Sequence, residues 1–133
     1  MKPVELLVVD DNAAEALLVL YALEDCTMPV KFHFVKDGTE ALRMLDEKTF
    51  DLVILDLNLP GISGYDVLQQ CNPKRTPVVV FSVSSNQMDA QRALELGARE
   101  FVHKPVGLEV YRHAVLKMIE TWVPRKDNKT IGA

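Results

Sequence analysis

Three observations predict an α/β fold, a doubly wound five-stranded parallel sheet with five helices. Five short apolar runs alternate with five stretches of helix-forming residues. Several runs, Leu52–Leu55 and Val78–Phe81 above all, are continuously apolar instead of alternating, the habit of strands covered on both faces. Four of the five runs end in a polar or charged group: Asp10-Asp11, Asp56, Ser82 and Lys104. In an open sheet with right-handed crossovers and a reversal of strand order, those ends share one rim, where such sheets bind ligands.

The elements follow in order. Glu5–Val9 is a buried strand stopped by Asp10-Asp11-Asn12, with Asn12 or Asp11 suited to cap the helix over Ala13–Glu24. That helix is apolar over more than one stripe, and Leu17, Leu20 and Tyr21 are surplus to one buried face. Val30–Val35 is the second strand. Asp37-Gly38 turns the chain into a helix over Thr39–Lys48, with Ala41, Leu42 and Leu45 inward. Leu52–Asp56 is the third strand, followed by Asn58, Pro60, Gly61 and Gly64, which is turn chemistry. A short helix over Tyr65–Cys71, the strand Val78–Phe81 and a helix over Gln87–Leu96, stopped at Gly97, come next. Phe101–His103 is the fifth strand, closed by Lys104-Pro105. The final helix runs from Gly107 to Val123, with Leu108, Tyr111, Val115, Met118, Ile119 and Trp122 inward.

The whole chain narrows the function. Its 133 residues make one domain, 1–123, with a tail from Pro124 whose composition predicts disorder. A net charge of −4 argues against a nucleic-acid partner. Cys26 and Cys71 match no metal or redox spacing, so they read as reduced thiols of a cytoplasmic protein. No apolar run approaches membrane-spanning length. The histidines His33, His103 and His113 share no spacing, and strand alternation turns His103 away from Lys104.

Converging carboxylates repel, and one must stay protonated unless a cation joins them. All-oxygen ligands suit a hard divalent ion, which points to Mg²⁺. With Asp10, Asp11, Asp56, Lys104 and one such ion, the charges balance, and a phosphoryl dianion can approach. The chemistry that fits is phosphoryl transfer onto Asp56 as nucleophile. The Lys104 ammonium and the Ser82 hydroxyl then support the phosphoryl oxygens. Taken singly, each residue has a plainer role: Asp10-Asp11 as a capping and turn pair, Ser82 as a strand-end hydrogen-bond former, Lys104 as a solvated loop charge. Their joint arrival at the ends of the correct strands favours the site.

Asp10-Asp11 after the first strand, Asp56 in Asp-Leu-Asn-Leu-Pro-Gly, Ser82 after Val-Val-Val-Phe, and Lys104-Pro105 make the chain resemble the receiver domain of two-component response regulators over residues 4–123. The resemblance implies a flavodoxin-like sheet of order 2-1-3-4-5. It further implies phosphorylation of Asp56 by a sensor histidine kinase or phosphotransfer protein. Mg²⁺ would be held by Asp11, Asp56 and the Asn58 main-chain carbonyl, with Asp10 acting through water. A cis Lys104-Pro105 bond is also implied. The switch would run from Ser82 to Phe101, in the place of the family's switch aromatic, and out through the fourth helix, fifth strand and fifth helix to a protein partner, a second copy of the chain included. Phe101 lacks the hydroxyl of the commoner Tyr, and Ser63 stands where an acidic residue is frequent. Asp-Leu-Asn-Leu-Pro, the serines after Val83 and Lys-Pro-Val with a final Trp look like the small stand-alone regulators paired with phytochrome-type kinases.

Other classes fit less well. An aspartyl phosphatase carries its nucleophile on the first strand with an acid two residues later, whereas Asp56 is on the third and is followed by Asn58. A flavin binder needs a hydroxyl- or glycine-rich phosphate loop where Asp10-Asp11 stands. A receiver used only for docking is opposed by the complete acidic, serine and lysine set.

Overall fold

The computed structural model describes residues 2–71 and 75–124. The expected tail, beyond Pro124, lies outside the described residues. Five strands alternate with five helices: β1 (Val4–Val9), α1 (Ala14–Leu23), β2 (Val30–Val35), α2 (Gly38–Glu47), β3 (Leu52–Leu55), α3 (Gly64–Gln70), β4 (Val78–Ser82), α4 (Gln87–Glu95), β5 (Glu100–His103) and α5 (Leu108–Trp122). The strands form one parallel sheet in the order β2-β1-β3-β4-β5.

The continuous apolar runs resolve into two cores by strand periodicity. Leu6, Val8, Leu52, Ile54, Val79 and Phe81 face one way, against Val19 and Ala22 of α1 and Tyr111, Val115, Met118 and Ile119 of α5. Leu7, Val9, Val53, Leu55, Val78 and Val80 face the other way, against Ala41 of α2, Val67 and Leu68 of α3 and Ala93 of α4. Both faces of β1, β3 and β4 are thus covered, which is why Leu6–Val9, Leu52–Leu55 and Val78–Phe81 run without a polar residue.

Three local expectations need correction. The N-cap of α1 is Ala13, without a side-chain bond; Asn12, one residue earlier, accepts the Ala14 amide on its Oδ1 at 3.0 Å. Its short side chain makes the turn that starts the helix without occupying the cap position. Leu108 is 49 % exposed, because it is the first residue of α5 and joins neither core, the inner stripe opening a turn later with Tyr111. The Lys104-Pro105 bond is trans, as are all peptide bonds among the described residues; trans is the favoured isomer even before proline.

Ser63, which had no evident role in the sequence, caps α3. Its hydroxyl accepts the Asp66 amide at 3.3 Å, and Asp66 accepts the Ser63 amide at 3.0 Å. This reciprocal cap fixes where the loop after β3 ends.

Candidate functional site

Register places the acidic residues. Val9 pairs with Leu55 across β1 and β3, so Asp10 and Asp56, the next residue of each strand, emerge side by side. Main-chain bonds carry the pairing one step further: the Asp56 amide donates to the Val9 carbonyl at 2.9 Å and the Asp10 amide to the Val35 carbonyl at 3.1 Å. β1 has β2 on one side and β3 on the other, so the two carboxylates sit at the point where the strand order reverses. Asp11 follows in the exposed loop. Asp10, Asp11 and Asp56 each offer a carboxylate oxygen, all within 4.8 Å of one another. An all-oxygen set of that size is suited to a hard divalent cation.

Lys104 reaches the same place from β5, with its amide held by the Ser82 carbonyl at 2.7 Å. Its side chain is buried and its Nζ lies 2.6 Å from Asp10 Oδ2 and 3.6 Å from Asp56 Oδ2. Burial works against the ammonium. The Asp10 hydrogen bond and the charges of Asp56, Asp10 and Glu15 outweigh it and hold Lys104 above its ordinary pKa. For Asp56 burial is the largest influence and raises the carboxyl; Lys104 and the Asn58 amide, which donates to Oδ1 at 3.2 Å, pull it partly back. His103 is exposed while Lys104 is buried, as alternation required.

Ser82 ends β4 fully buried, and its hydroxyl accepts the Ser84 amide at 3.1 Å. Phe101 is half-buried on β5, opposite Val80 and against the core shared with α2, α3 and α4. Asn58 is exposed and meets Asp56 through its amide. The glycine at 64 lets the returning loop press on Asp56: a Cβ there would stand 2.5 Å from the Asp56 carbonyl oxygen and 2.6 Å from the Leu57 Cα.

One residue of the site was not singled out in the sequence. Glu15 is buried, its Oε1 lies 3.4 Å from Lys104 Nζ, and its Oε2 accepts a hydrogen bond from the Tyr111 hydroxyl. It shares the inward stripe of α1 with Val19 and Ala22, at i+4 and i+7. That spacing was the available signal, but Glu is also an ordinary first-turn residue and the leucines around it drew the eye. Its presence changes the charge balance. Four carboxylates, Asp10, Asp11, Asp56 and Glu15, now share the rim with one ammonium, so a divalent cation leaves a residual negative charge.

The comparisons agree with this geometry. The family model described as "Response regulator receiver domain" matches residues 6–116. The crystal structure of the phosphorylated cyanobacterial phytochrome response regulator RcpA superposes with a TM-score of 0.82 at 32% identity, over 91% of this chain and 94% of that one. The Mn²⁺-bound form of the response regulator Rcp1 gives 0.81 at 28% identity, over 92% and 100%. Among curated proteins, a probable methanogenesis regulatory protein, FilR2 of Methanothrix harundinacea, is 30% identical over 91% of this chain and 84% of its own length. The two-component response regulator ARR18 of Arabidopsis thaliana is 32% identical, but the chain spans only 19% of it. With the sheet order, the acidic rim and a family match over most of its length in agreement, the chain belongs to the response regulator receiver domain family.

Proposed function

We propose that this chain is a phosphorylatable signalling switch that accepts a phosphoryl group on Asp56. The observation that carries the reading is the placement of Asp56 at the strand-order reversal, with an ammonium 3.6 Å away and two further carboxylates within 4.8 Å. A carboxylate oxygen of Asp56 forms a bond to phosphorus as the donor's own bond to phosphorus breaks. The electron pair of that bond leaves on an imidazole nitrogen when the donor is a phosphohistidine, or on acetate when it is acetyl phosphate. Lys104 moves its charge toward the new phosphoryl oxygens, and Ser82 donates its hydroxyl to one of them. The carboxylate oxygens of Asp10, Asp11 and Asp56 suit Mg²⁺; Asp11, Asp56 and the Asn58 main-chain carbonyl would hold it, with Asp10 acting through water, and it would neutralise phosphoryl charge. The product is a mixed anhydride that water reverses, as a transient signal requires.

The donor is a sensor histidine kinase or phosphotransfer protein in the cytoplasm. Leu17, 71 % exposed, and Leu20, 46 % exposed, form an apolar patch on α1 for it to dock on. The likeness to RcpA, described as a phytochrome response regulator, supports a phytochrome-type kinase. Residues 1–123 form the receiver. Output passes through α4, β5 and α5 by protein contact, with Ser82 and Phe101 as the moving parts. Intact mass after treatment with acetyl phosphate and Mg²⁺ tests the reading. The expected result is an alkali-labile, Mg²⁺-dependent phosphoryl adduct on the wild type and none on Asp56→Asn; no adduct on the folded wild type would overturn it.

A further inference from the structure

Lys104 faces more negative charge than phosphoryl transfer to Asp56 uses. Its Nζ lies 2.6 Å from Asp10, 3.4 Å from Glu15 and 3.6 Å from Asp56, so the acceptor is the farthest of three carboxylates. Glu15 is not free to follow the ammonium. One oxygen is held by the Tyr111 hydroxyl, and Tyr111 is itself fixed in the core, with its ring centroid 5.3 Å from that of Phe81. Glu15 is therefore an anion anchored by α5 and directed at the one cation the acceptor needs.

An ammonium has three N–H groups. One is hydrogen-bonded to Asp10 at 2.6 Å, whereas Glu15 at 3.4 Å is the looser ion pair, so a phosphoryl dianion on Asp56 competes with Glu15 for the ammonium. Asp10 is bound closely and sits beside Asp56, on the adjacent strand. Glu15 lies on the helical side, so it is the partner lost first. The pair is buried, where salt screens little and the attraction counts.

We propose that Glu15 is a positioning residue that holds Lys104 on the α1–α5 side of the rim while Asp56 is unmodified, and that its release on phosphorylation is passed to α5 through Tyr111. The proposal rests on Asp56 being the phosphoryl acceptor. It gives the site a second route outward, Asp56 to Lys104 to Glu15 to Tyr111, distinct from the one through Ser82 and Phe101. It also accounts for a fourth carboxylate in a pocket that must admit an anion: the surplus charge keeps the cation parked.

Glu15→Gln keeps the shape and a carbonyl oxygen for Tyr111 but removes the charge. Two measurements follow it. The first is the rate of adduct formation with acetyl phosphate and Mg²⁺, expected to rise about three- to tenfold, the size of one neighbouring-charge coupling. The second is the ¹³Cε resonance of Lys104 in lysine-labelled protein without phosphodonor, identified by its loss in Lys104→Arg. In Glu15→Gln it is expected to lie displaced toward the position the wild type adopts with beryllofluoride and Mg²⁺. A wild type that forms no adduct overturns Asp56 as acceptor, and with it the release step. A wild type that forms adduct beside a variant with unchanged rate and unmoved resonance overturns the positioning role alone. A faster rate with an unmoved resonance also overturns it, since Glu15 then acts only through the general field. If Glu15→Gln unfolds α1, Tyr111→Phe, which frees the Glu15 carboxylate without changing charge, carries the same resonance test; an unmoved Lys104 signal there counts against the proposal.

Discussion

Asp56 gives up hydration to stand at the end of β3, and this burial raises its pKa against the pull of Lys104 and the Asn58 amide. A carboxyl whose folded pKa exceeds its unfolded one contributes stability that is fullest below the ordinary value of 3.8 and is lost as pH rises through the raised value. Without divalent cation, Asp56→Asn is therefore expected to melt at a higher temperature than the wild type at pH 7 and with little difference near about pH 3. Thermal melts across pH read this, and a lower melting temperature for the variant at pH 7 would contradict it. Gly64 acts on the same residue from outside. A methyl group there meets main-chain atoms of Asp56 and Leu57 at 2.5 and 2.6 Å, and backbone cannot yield as a flexible side chain does. Gly64→Ala is expected to cost about 1–3 kcal/mol in urea unfolding. Asn58 is exposed, small and polar and meets Asp56 through its amide; in the proposed phosphorylated form it would flank the path of a hydrolytic water. Asn58→Lys should change the dephosphorylation rate of the acyl phosphate; an unchanged rate would remove Asn58 from that role.

Between β4 and α4 the chain is latched by side chains. The Ser84 hydroxyl donates to Asp89 Oδ2 at 2.6 Å, the Tyr65 hydroxyl of α3 donates to Oδ1 at 2.7 Å, and the Arg92 guanidinium stacks 4.1 Å over the Tyr65 ring. The Ser84 and Tyr65 hydrogen bonds hold the Asp89 carboxyl below its usual range, while burial and Asp89 push the Tyr65 hydroxyl up to about 12. Because the Ser84 amide also donates to Ser82, any movement of Ser82 works against this latch. Tyr65→Phe is expected to lower stability by about 1 kcal/mol, measured by urea unfolding. Elements of this kind mark the limit of what sequence shows. Strands buried on both faces leave continuous apolar runs, so β1, β3 and β4 and the rim they carry could be read directly. Ser84, small and polar, could be read beside Asn58 as flanking the path of a hydrolytic water, but its latch could not be read, because its partner Asp89 lies a helical turn away and Tyr65 on another element. Glu15 was hidden for the opposite reason: a first-turn Glu already has a sufficient local role, and only the fold brings Tyr111 and Lys104 to it.

At the scale of the molecule, the sheet divides the helices by task. α1 and α5 share one core and α2, α3 and α4 the other, so the acidic crevice is the place where both packings meet. A divalent cation bound there adds stability that unfolding must forfeit, about 2.7 kcal/mol at a hundredfold excess over Kd. The melting temperature is expected to rise with Mg²⁺, fall back with chelator, and respond less in Asp11→Asn. Leu17, by contrast, supports neither core. Leu17→Ser should alter stability by less than about 0.5 kcal/mol while reducing phosphotransfer from a protein donor and sparing modification by acetyl phosphate. An equal loss with both donors would show that the patch does not dock the kinase.

The chain's single tryptophan belongs to α5, where the Trp122 indole N–H donates to Glu100 of β5 at 2.8 Å. Glu100 is the chain neighbour of Phe101, and Trp122 is half-buried with its ring against the α1–α5 core. The molecule therefore carries a native optical reporter across the seam between β5 and α5, where the proposed output would pass. A shift of β5 past α5 would lengthen or break this bond and change the wavelength and yield of indole emission, with no label attached and no residue replaced.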